Sequence, residues 1–345
     1  MEQEHRRRPR YQGTHPRRYE EKYKELHPEK YKDDVRAIIR QGKTPAGMHI
    51  PIMVDEILDI LQIQPGQVGY DATLGYGGHT QKMLERLGGQ GHLYATDVDP
   101  VESAKTQARL EGLGYGPAIL TIRRMNFAQI DQVAPGVPFD FVLADLGVSS
   151  MQIDNPERGF TFKHDGPLDL RLDPTQGVTA AQRLRELEED ELASMLVENA
   201  DEPYAGRIAR AITQHFARGG SIETTKQLAA LIQNALSFLP PKEQREAVKK
   251  SCQRTFQALR IDVNAEYEAL YSFLEKLPNA LKSGGRAAVL TFHSGEDRLV
   301  KKAFKQHLRD GLYSAVAEDV IRPSAQECFQ NPRARSTKLR WAIRA

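Results

Sequence analysis

The residues best suited to ligand binding or catalysis lie in a glycine-rich segment, DATLGYGGH, which runs from Asp71 to His79. Glycine lets the backbone approach a ligand where a Cβ atom would clash, and the helix that follows points unpaired N–H groups at that ligand. A second apolar strand, HLYAT, leads into Asp97. An acidic residue at the end of such a strand is placed to accept hydrogen bonds from both hydroxyls of a ribose. The pattern therefore predicts a binding site for a nucleoside cofactor.

Two classes of enzyme share this arrangement, those that bind nicotinamide dinucleotides and those that bind S-adenosylmethionine. The dinucleotide pattern has a third glycine where this chain has Thr80, so the sequence disfavours hydride transfer. A later apolar strand, FDFVLAD, ends at Asp145 and is followed by a loop of small residues. Ligands of open α/β sheets bind at the carboxyl ends of the strands. Three strand ends that carry Asp71, Asp97 and Asp145 favour a methyltransferase over a dehydrogenase.

From Met48 to Ala345 the chain resembles the bacterial 16S rRNA cytosine-N(4)-methyltransferase family, which is called MraW or RsmH. The resemblance rests on separated motifs in one order: MHIPIMVDE, DATLGYGGHT, DLGVSSMQIDNPERGFTFKHDGPLDLRLD, TFQALRIDVNAE, GGRAAVLTFHSGEDRLVK and NPRARSTKLRWA. It implies methyl transfer from S-adenosylmethionine to the exocyclic amine of a cytidine in the decoding region of small-subunit rRNA. The departures are Tyr76 and Thr80 in the glycine loop, Gly295 where the family more often has Leu, and an extension before Met48 that indicates a separate branch.

The resemblance also implies which residues contact the cofactor. Carried over position by position, they are Gly77, Gly78, His79, Asp97, Phe127, Asp145 and Gln152. The lone pair of a cytidine amine is delocalised into the ring, so an acceptor on its N–H must direct that lone pair at the methyl group. We predict that Asp145 is this catalytic acceptor. The sequence leaves open whether Asp145 instead holds the methionine amino group of the cofactor.

Two basic segments are predicted to contact RNA. Residues 155–173 form a long loop whose cations and rings suit an extruded base and its phosphates, although a loop folded on itself is the alternative. The second segment, NPRARSTKLR, lies beside the last predicted strand, and a solvated tail is its alternative reading. The candidate RNA contacts are Arg158, Phe160, Phe162, Lys163, Arg171, His293, Arg333 and Arg335.

His293 lies in the segment TFHSGEDR, next to Ser294 and close to Glu296 and Asp297. The members of a Ser-His-Asp triad normally converge from separate segments, so this cluster does not indicate a hydrolase. The zinc-ligand motifs of a cytidine deaminase are missing from the sequence. We expect His293 and Asp297 to order the loop beside the target base.

The composition of the 345-residue chain is typical of a cytosolic enzyme. Its two cysteines, Cys252 and Cys328, match neither a disulfide framework nor a zinc site, and no metal is expected. The sequence has neither an apolar run long enough to span a bilayer nor a signal peptide, so the predicted location is the cytoplasm, away from membranes. The net charge of +2 does not point to RNA. No feature determines the oligomeric state, and a homodimer stays open.

Residues 1–47 form a basic extension with 13 Lys or Arg against 8 Asp or Glu, and tyrosines are interleaved among them. Cations neutralise phosphates and rings stack on bases, so the extension is a candidate RNA anchor. A solvated and partly disordered arm is the alternative. Alternating charge over Tyr19–Arg40 predicts a surface helix within it.

The elements that must position these residues alternate as strand and helix, which is typical of a doubly wound parallel sheet. Strands are predicted over 69–72, 91–96, 119–123, 139–144, 286–291 and 338–343. Helices are predicted over 54–61, 80–87, 100–111 and 127–133, and helical periodicity continues over 180–199, 204–218, 224–238 and 242–276. The predicted fold class is α/β, a Rossmann-like class I methyltransferase sheet with an inserted all-helical domain.

This order predicts a domain that is discontinuous in sequence. The S-adenosylmethionine-dependent methyltransferase domain covers 48–165 and 275–345, and the helical substrate-recognition insert covers 166–274. The leading hypothesis is an rRNA methyltransferase whose partner is small-subunit rRNA or the assembled small ribosomal subunit. The alternatives are a nicotinamide or nucleotide-sugar enzyme, which would prefer NAD in calorimetry, and a non-catalytic RNA-binding assembly factor, which would not methylate RNA.

Overall fold

A seven-stranded sheet runs through the computed structural model of the protein, which describes residues 51–345. The basic extension, its predicted helix over Tyr19–Arg40 and the first residues of the MHIPIMVDE motif lie outside the described residues. The strands are β1 Val68–Asp71, β2 His92–Asp97, β3 Leu120–Arg124, β4 Phe139–Asp145, β5 Leu281–Thr291, β6 Tyr313–Val316 and β7 Lys338–Arg344.

The strand order is β3-β2-β1-β4-β5-β7-β6. Strands β1 to β5 are parallel, whereas β7 is antiparallel to both β5 and β6. The chain leaves β1 toward one edge of the sheet and later returns to place β4 on its other side. Such a reversal opens a crevice at the carboxyl ends of the strands, where open α/β sheets bind ligands. The predicted doubly wound α/β fold is confirmed, and only β6, four residues long, was not predicted.

The helices flank the sheet and build a separate insert. They are α1 Val54–Leu61, α2 Gly78–Leu87, α3 Pro100–Gly112, α4 Ile130–Val133, α5 Ser150–Asp154, α6 Ala180–Glu186, α7 Glu189–Ala200, α8 Ala205–Ala217, α9 Thr225–Ala235, α10 Pro241–Val263, α11 Glu266–Ala280, α12 Ser294–Arg309 and α13 Ala325–Gln330. Short 3-10 turns cover Phe127–Gln129, Pro156–Arg158 and Pro332–Ser336. Of the thirteen α-helices of residues 51–345, α5, α12 and α13 were not predicted from the sequence.

Two stretches that were predicted as single helices are each divided in two. The stretch 180–199 is interrupted after α6, and α7 begins where the Glu191 side chain accepts a hydrogen bond from the backbone N–H of Glu188. The stretch 242–276 is interrupted at Asn264 and Ala265, where Ala265 has a φ of 47° that a right-handed helix excludes. Each interruption spans only a few residues, so the apolar spacing on either side did not reveal it.

Strand β4 explains how one strand serves two cores. Its residues alternate between the faces of the sheet, so Val142 and Ala144 enter one apolar core while Phe141 and Leu143 enter the other. Both faces are covered, which is why the strand is apolar almost throughout. Burial on both sides holds the carboxyl end of β4, and therefore Asp145, in a rigid setting.

The helical insert has its own core, which is built from α6 to α10. Phe160 and Phe162 already pack against this core, before the predicted start at residue 166. The predicted limit at residue 274 falls inside α11, whose buried residues Leu270 and Phe273 belong to the core of the sheet. In packing terms the insert therefore ends with α10 at Val263, and α11 is part of the sheet domain.

Candidate active site

The three strand-end carboxylates predicted from the sequence lie at one edge of the sheet. Asp71, Asp97 and Asp145 end β1, β2 and β4, and β1 is hydrogen-bonded to the other two strands. Each carboxylate has a different setting, because each is followed by a different turn. Because their environments differ, the three carboxylates are suited to different functions.

Asp71 is buried and holds the glycine loop together. Its Oδ2 atom accepts a hydrogen bond from Thr80 Oγ1 at 2.6 Å, and its Oδ1 atom accepts one from the Thr73 N–H at 3.1 Å. Burial raises the pKa of Asp71 against the lowering effect of these hydrogen bonds. Thr80 stands where the dinucleotide pattern has glycine, and this contact gives it a structural purpose that a glycine lacks.

The glycine loop passes close to neighbouring chain. Gly77 begins α2 with a φ of 74°, and a Cβ atom at this position would lie 2.8 Å from Thr106 Cγ2. At Gly78 a Cβ atom would lie 2.3 Å from Pro51 Cγ. Only glycine fits both the conformation and the space at Gly77. The N–H groups at the start of α2 consequently point toward the edge that carries the carboxylates.

Asp97 is partly buried at the end of β2, where its oxygens accept hydrogen bonds from two backbone N–H groups. Oδ2 accepts from Gly75 at 2.8 Å and Oδ1 from Asp99 at 2.9 Å. Burial raises the pKa of Asp97 to about 6, and the charges of Asp99 and Asp71 add to the rise. Each carboxylate oxygen has two lone pairs, so both retain capacity for the hydroxyls of a ribose.

A first pocket extends from Asp97 between the sheet and α11. Phe127 lies in its wall and packs edge-on against Phe273, with ring centroids 5.4 Å apart. Met125 and Leu270 add apolar surface, and Asn126 adds a polar group. A largely apolar pocket next to a partly buried carboxylate fits the base and ribose of an adenosine. This is the place that the sequence assigned to S-adenosylmethionine, and the residues present fit that ligand.

Gln152 also lines the first pocket, but its side-chain amide is used within the protein. Nε2 donates to Asp99 Oδ2 at 2.9 Å, and Oε1 accepts from the Ser149 N–H at 2.9 Å. Gln152 thereby fixes the start of α5 against the residue that caps α3. The pocket wall gains rigidity from this bond.

A second pocket adjoins the first and holds the remaining predicted cofactor residues. Gly77, Gly78, His79 and Asp145 line it, and residues from Leu146 to Ser149 line parts of both pockets. His293 and Arg333 lie in its wall as well. The predicted cofactor contacts therefore divide between two neighbouring pockets, and Asp145 lies in the second. Two of the predicted RNA residues share that pocket with it.

Asp145 presents one unused oxygen. Oδ2 lies 3.4 Å from His79 Nδ1, whereas Oδ1 is buried and has no hydrogen-bond partner among residues 51–345. The backbone N–H of Asp145 donates to Thr73 Oγ1 at 2.7 Å, which ties it to the glycine loop. A buried acceptor without a partner is costly in the free protein and is typical of a functional site.

Four ionisable side chains line the two pockets: Glu266 and Glu296 line the first, and Arg260 and His293 line the second. Arg260 donates to both carboxylate oxygens of Glu266 at 2.8 and 2.9 Å, and His293 Nε2 lies 3.1 Å from Glu296 Oε1. Burial opposes the charge of Glu296, but His293, Arg260 and the Phe292 N–H lower its pKa. Ligand atoms of Glu266, His293 and Glu296 lie within 4.8 Å of one another, and Arg260 balances the charge of this cluster.

Sequence reasoning overlooked Arg260 and Glu266. Both lie in or beside the motif TFQALRIDVNAE, but a single sequence shows neither that Arg260 is enclosed nor that the helix breaks between the two residues. An arginine among apolar residues of a long helix was the available signal. The break at Asn264 turns the chain so that Glu266 faces Arg260 across it.

The loop over residues 155–173 is folded largely on itself. Arg158 donates to Asp99 and to the backbone oxygens of Arg171 and Leu172, at 2.7 to 3.1 Å. Arg171 is bound to Asp169, and Phe160 and Phe162 pack on the insert. These contacts use the side chains inside the protein, so we do not keep Arg158, Arg171 or the two phenylalanines in the RNA surface proposed below. Lys163 is exposed.

In the C-terminal basic segment, too, some cations are paired within the protein and others are exposed. Arg333 donates from Nη2 to both oxygens of Asp154, while its Nη1 atom is buried without a partner among the described residues. Arg335 is exposed. Lys338 and Arg340 are both bound to Asp297, so this carboxylate ties α12 to β7. His293 accepts the N–H of Glu296 at 3.4 Å and caps α12.

Comparison with known proteins shows to which enzyme family this chain belongs. A doubly wound sheet with a largely apolar pocket beside Asp97 and an adjoining second pocket that contains Asp145 is typical of nucleotide-binding enzymes that transfer a group. Residues 46–345 match the MraW methylase family, and the chain belongs to that family. No helix in residues 51–345 has the length and apolar character needed to cross a membrane.

Relatives match along the whole chain. The ribosomal RNA small subunit methyltransferase H 1 of Lachnoclostridium phytofermentans is 64% identical over 99% of this chain and 93% of that protein. The protein of the same name from Agathobacter rectalis is 63% identical over 100% and 99%. The ribosomal RNA small subunit methyltransferase H of Paracidovorax citrulli is 41% identical over 86% of this chain and 96% of its own length, which leaves part of this chain without a counterpart.

Proposed function

We propose that this protein transfers a methyl group from S-adenosylmethionine to the exocyclic N(4) amine of a cytidine in small-subunit rRNA. The observation that carries the proposal is the position of Asp145, which lines the second pocket and directly precedes Leu146 and Gly147, residues that line both pockets. Membership of a methylase family and the names of the full-length relatives support the same reaction and the same class of RNA.

The first pocket supplies the binding energy and the orientation. Asp97 and Phe127 both line this pocket, where Asp97 would accept both ribose hydroxyls and Phe127 would provide an apolar face for the base. S-adenosylmethionine, when bound, supplies an electrophilic methyl group. The glycine loop allows close approach of the backbone on the side of the second pocket, so the methyl group would be directed toward Asp145.

The second pocket supplies the acceptor that a poor nucleophile needs. The carboxylate of Asp145 would accept a hydrogen bond from the cytidine amine, which localises the lone pair of that nitrogen and orients it in line with the departing sulfur. Asn could accept such a bond but carries no charge. The contribution of the carboxylate is therefore greatest when positive charge develops on the nitrogen.

Basic side chains in the second pocket and on the exposed surface would hold the RNA. We keep Lys163, His293, Arg333 and Arg335 as proposed contacts, because Lys163 and Arg335 are exposed while His293 and Arg333 line the pocket. Arg333 is paired with Asp154, which fixes the position of its guanidinium in the pocket wall. The substrate is either free small-subunit rRNA or the assembled subunit.

The experiment is single-turnover methylation with purified protein, labelled S-adenosylmethionine and either naked small-subunit rRNA or intact small subunits. Mass mapping of the RNA should show one methylated cytidine, in at least one of the two substrates. Asp145→Asn should lower the methylation rate far more than it weakens cofactor binding, because the lost interaction is strongest in the transition state.

Three results would contradict the proposal. An absence of methylation on both RNA substrates, in a protein that binds S-adenosylmethionine, would favour an assembly factor. A preference for NAD in calorimetry would remove the cofactor assignment. Equal losses of rate and cofactor affinity in Asp145→Asn would make Asp145 a cofactor ligand and move the catalytic role elsewhere.

A further inference from the structure

The hydrogen-bond geometry of His79 requires more protons than a neutral imidazole supplies. Its Nε2 atom lies 2.9 Å from the carbonyl oxygen of Ile52, which only accepts, so Nε2 carries a hydrogen. A neutral ring with its hydrogen on Nε2 has a lone pair on Nδ1. That lone pair would face Asp145 Oδ2 at 3.4 Å, and two acceptors would repel each other. The contact is favourable only when a second proton lies between Nδ1 and Oδ2.

The charges around His79 support this proton. Burial alone would lower the pKa of the imidazole, but the hydrogen bond and charge of Asp145 raise it, with smaller contributions from the Ile52 carbonyl and Asp71. Asp71 lies on β1 and Asp145 on β4, so anions face the ring from both strands beneath it. The cations in the wall of the same pocket are Arg260 and Arg333, and the His293 ring lies in that wall as well.

We propose that His79 is a positioning residue which, as an imidazolium, holds Asp145 by Oδ2 and thereby keeps the carboxylate turned toward the amine of the substrate. This inference rests on the proposed function and deepens it. Without the imidazolium, the carboxylate is free to rotate and no longer has a fixed direction. The Thr73 contact orients the backbone of Asp145 but does not restrain its side chain.

The reaction balances with this arrangement. The amine nitrogen forms a bond to the methyl carbon, and the bond from that carbon to sulfur breaks with its electron pair passing to sulfur. The nitrogen then carries a positive charge and loses a proton to the carboxylate of Asp145. A methylated aromatic amine that still carries the extra proton is a strong acid, so even a carboxylate paired with an imidazolium accepts that proton.

The test compares the pH dependence of single-turnover methylation in the wild-type protein, His79→Gln and His293→Gln. In the wild type the rate should fall on the alkaline side, because Asp145 loses its partner when the imidazolium deprotonates. Glutamine at position 79 can donate to Ile52 but gives Asp145 no cation, so His79→Gln should be slower by about tenfold to a hundredfold and lack the alkaline fall. His293→Gln should retain that fall.

Calorimetry separates positioning from cofactor binding. The affinity of His79→Gln for S-adenosylmethionine should stay within about twofold of the wild type, a difference well under 1 kcal/mol. Losses of affinity and rate by the same factor would make His79 a cofactor ligand and overturn the inference. An alkaline fall that persists in His79→Gln would overturn it as well.

A measurement on the intact wild-type protein guards against a variant that does not fold. The ¹⁵N chemical shifts of the His79 ring report directly whether both nitrogens are protonated. Two protonated nitrogens at neutral pH are expected, and a neutral ring with hydrogen only on Nε2 would overturn the inference. Because this readout needs no RNA, it remains informative even if the proposed methylation fails.

Discussion

Arg158 and Asp99 form an ion pair that joins the loop over residues 155–173 to the first turn of α3. Nη1 of Arg158 lies 2.7 Å from Oδ2 of Asp99, whose side chain is fully buried. Asp99 also caps α3 by accepting the N–H groups of Val101 and Glu102. One carboxylate therefore fixes a helix start, a long loop and, through Gln152, the wall of the first pocket.

The first prediction concerns this ion pair. Arg158→Ala should lower the free energy of unfolding by about 3–5 kcal/mol, because it leaves a buried carboxylate without its cation. Chemical denaturation measures the change. Arg210→Ala is the matched control, since the Arg210–Glu189 pair is exposed and should contribute no more than about 1 kcal/mol. If the two variants are equally stable, the loop is not anchored through Asp99.

The second prediction concerns the pH dependence of cofactor binding. The pKa of Asp97 is raised to about 6, mainly by burial, so the carboxylate is charged at pH 7.5 and becomes neutral as the pH falls through that value. A charge-assisted hydrogen bond contributes about 1.5–3 kcal/mol, and its loss should weaken S-adenosylmethionine binding by about tenfold or more. Calorimetry between pH 7.5 and pH 5 should show this decrease.

Asp97→Asn is the control for the pH experiment. It should bind weakly at pH 7.5 and show little further loss on acidification, because the titrating group has been removed. The other carboxylates nearby, Asp71 and Glu296, are unchanged in this variant. If the affinity of Asp97→Asn falls with pH as steeply as that of the wild type, another group is responsible.

The third prediction concerns the glycine loop. Gly77→Ala places a side chain at a φ of 74° and only 2.8 Å from Thr106 Cγ2, so the loop must shift away from its position beside the ligand. We expect weaker cofactor binding and a lower melting temperature. Gly206→Ala is the matched control, because Gly206 lies in α8 with nothing within 4 Å of its Cβ position. Helix propensity makes that substitution neutral or stabilising by up to about 1 kcal/mol.

The fourth prediction concerns the basic extension, which is known here only as sequence. Deleting Met1–Gly42 should weaken binding to small-subunit rRNA at low salt and flatten the dependence of log affinity on log salt, by about one unit per lost phosphate contact. The affinity for S-adenosylmethionine and the methylated position should not change. Identical affinity and slope in the shortened protein would show that the extension is not an RNA anchor, and a different target would make it a specificity element.

Much of the sheet and its ligand edge was predictable, because local chemistry determines both. The alternation of apolar strands with helices defines a doubly wound sheet, and such a sheet brings its carboxyl strand ends together whatever the details of packing. Asp71, Asp97 and Asp145 were found for that reason. The glycines were found because their function is a backbone property. Family motifs then indicated the reaction without any reference to distance.

The tertiary structure decided which charged side chains remain available to a ligand. Arg158 and Arg335 look alike in sequence, yet Arg158 is bound within the protein by Asp99, whereas the side chain of Arg335 is exposed. The partners of an arginine come from distant segments, so composition cannot distinguish the two cases. The same holds for His79, whose charge depends on a carbonyl of the segment before α1 and a carboxylate at the end of β4. The sequence alone was sufficient to predict the fold and the type of reaction. The protonation and the ion pairs of the side chains depend on contacts between distant segments, so only the tertiary structure could show them.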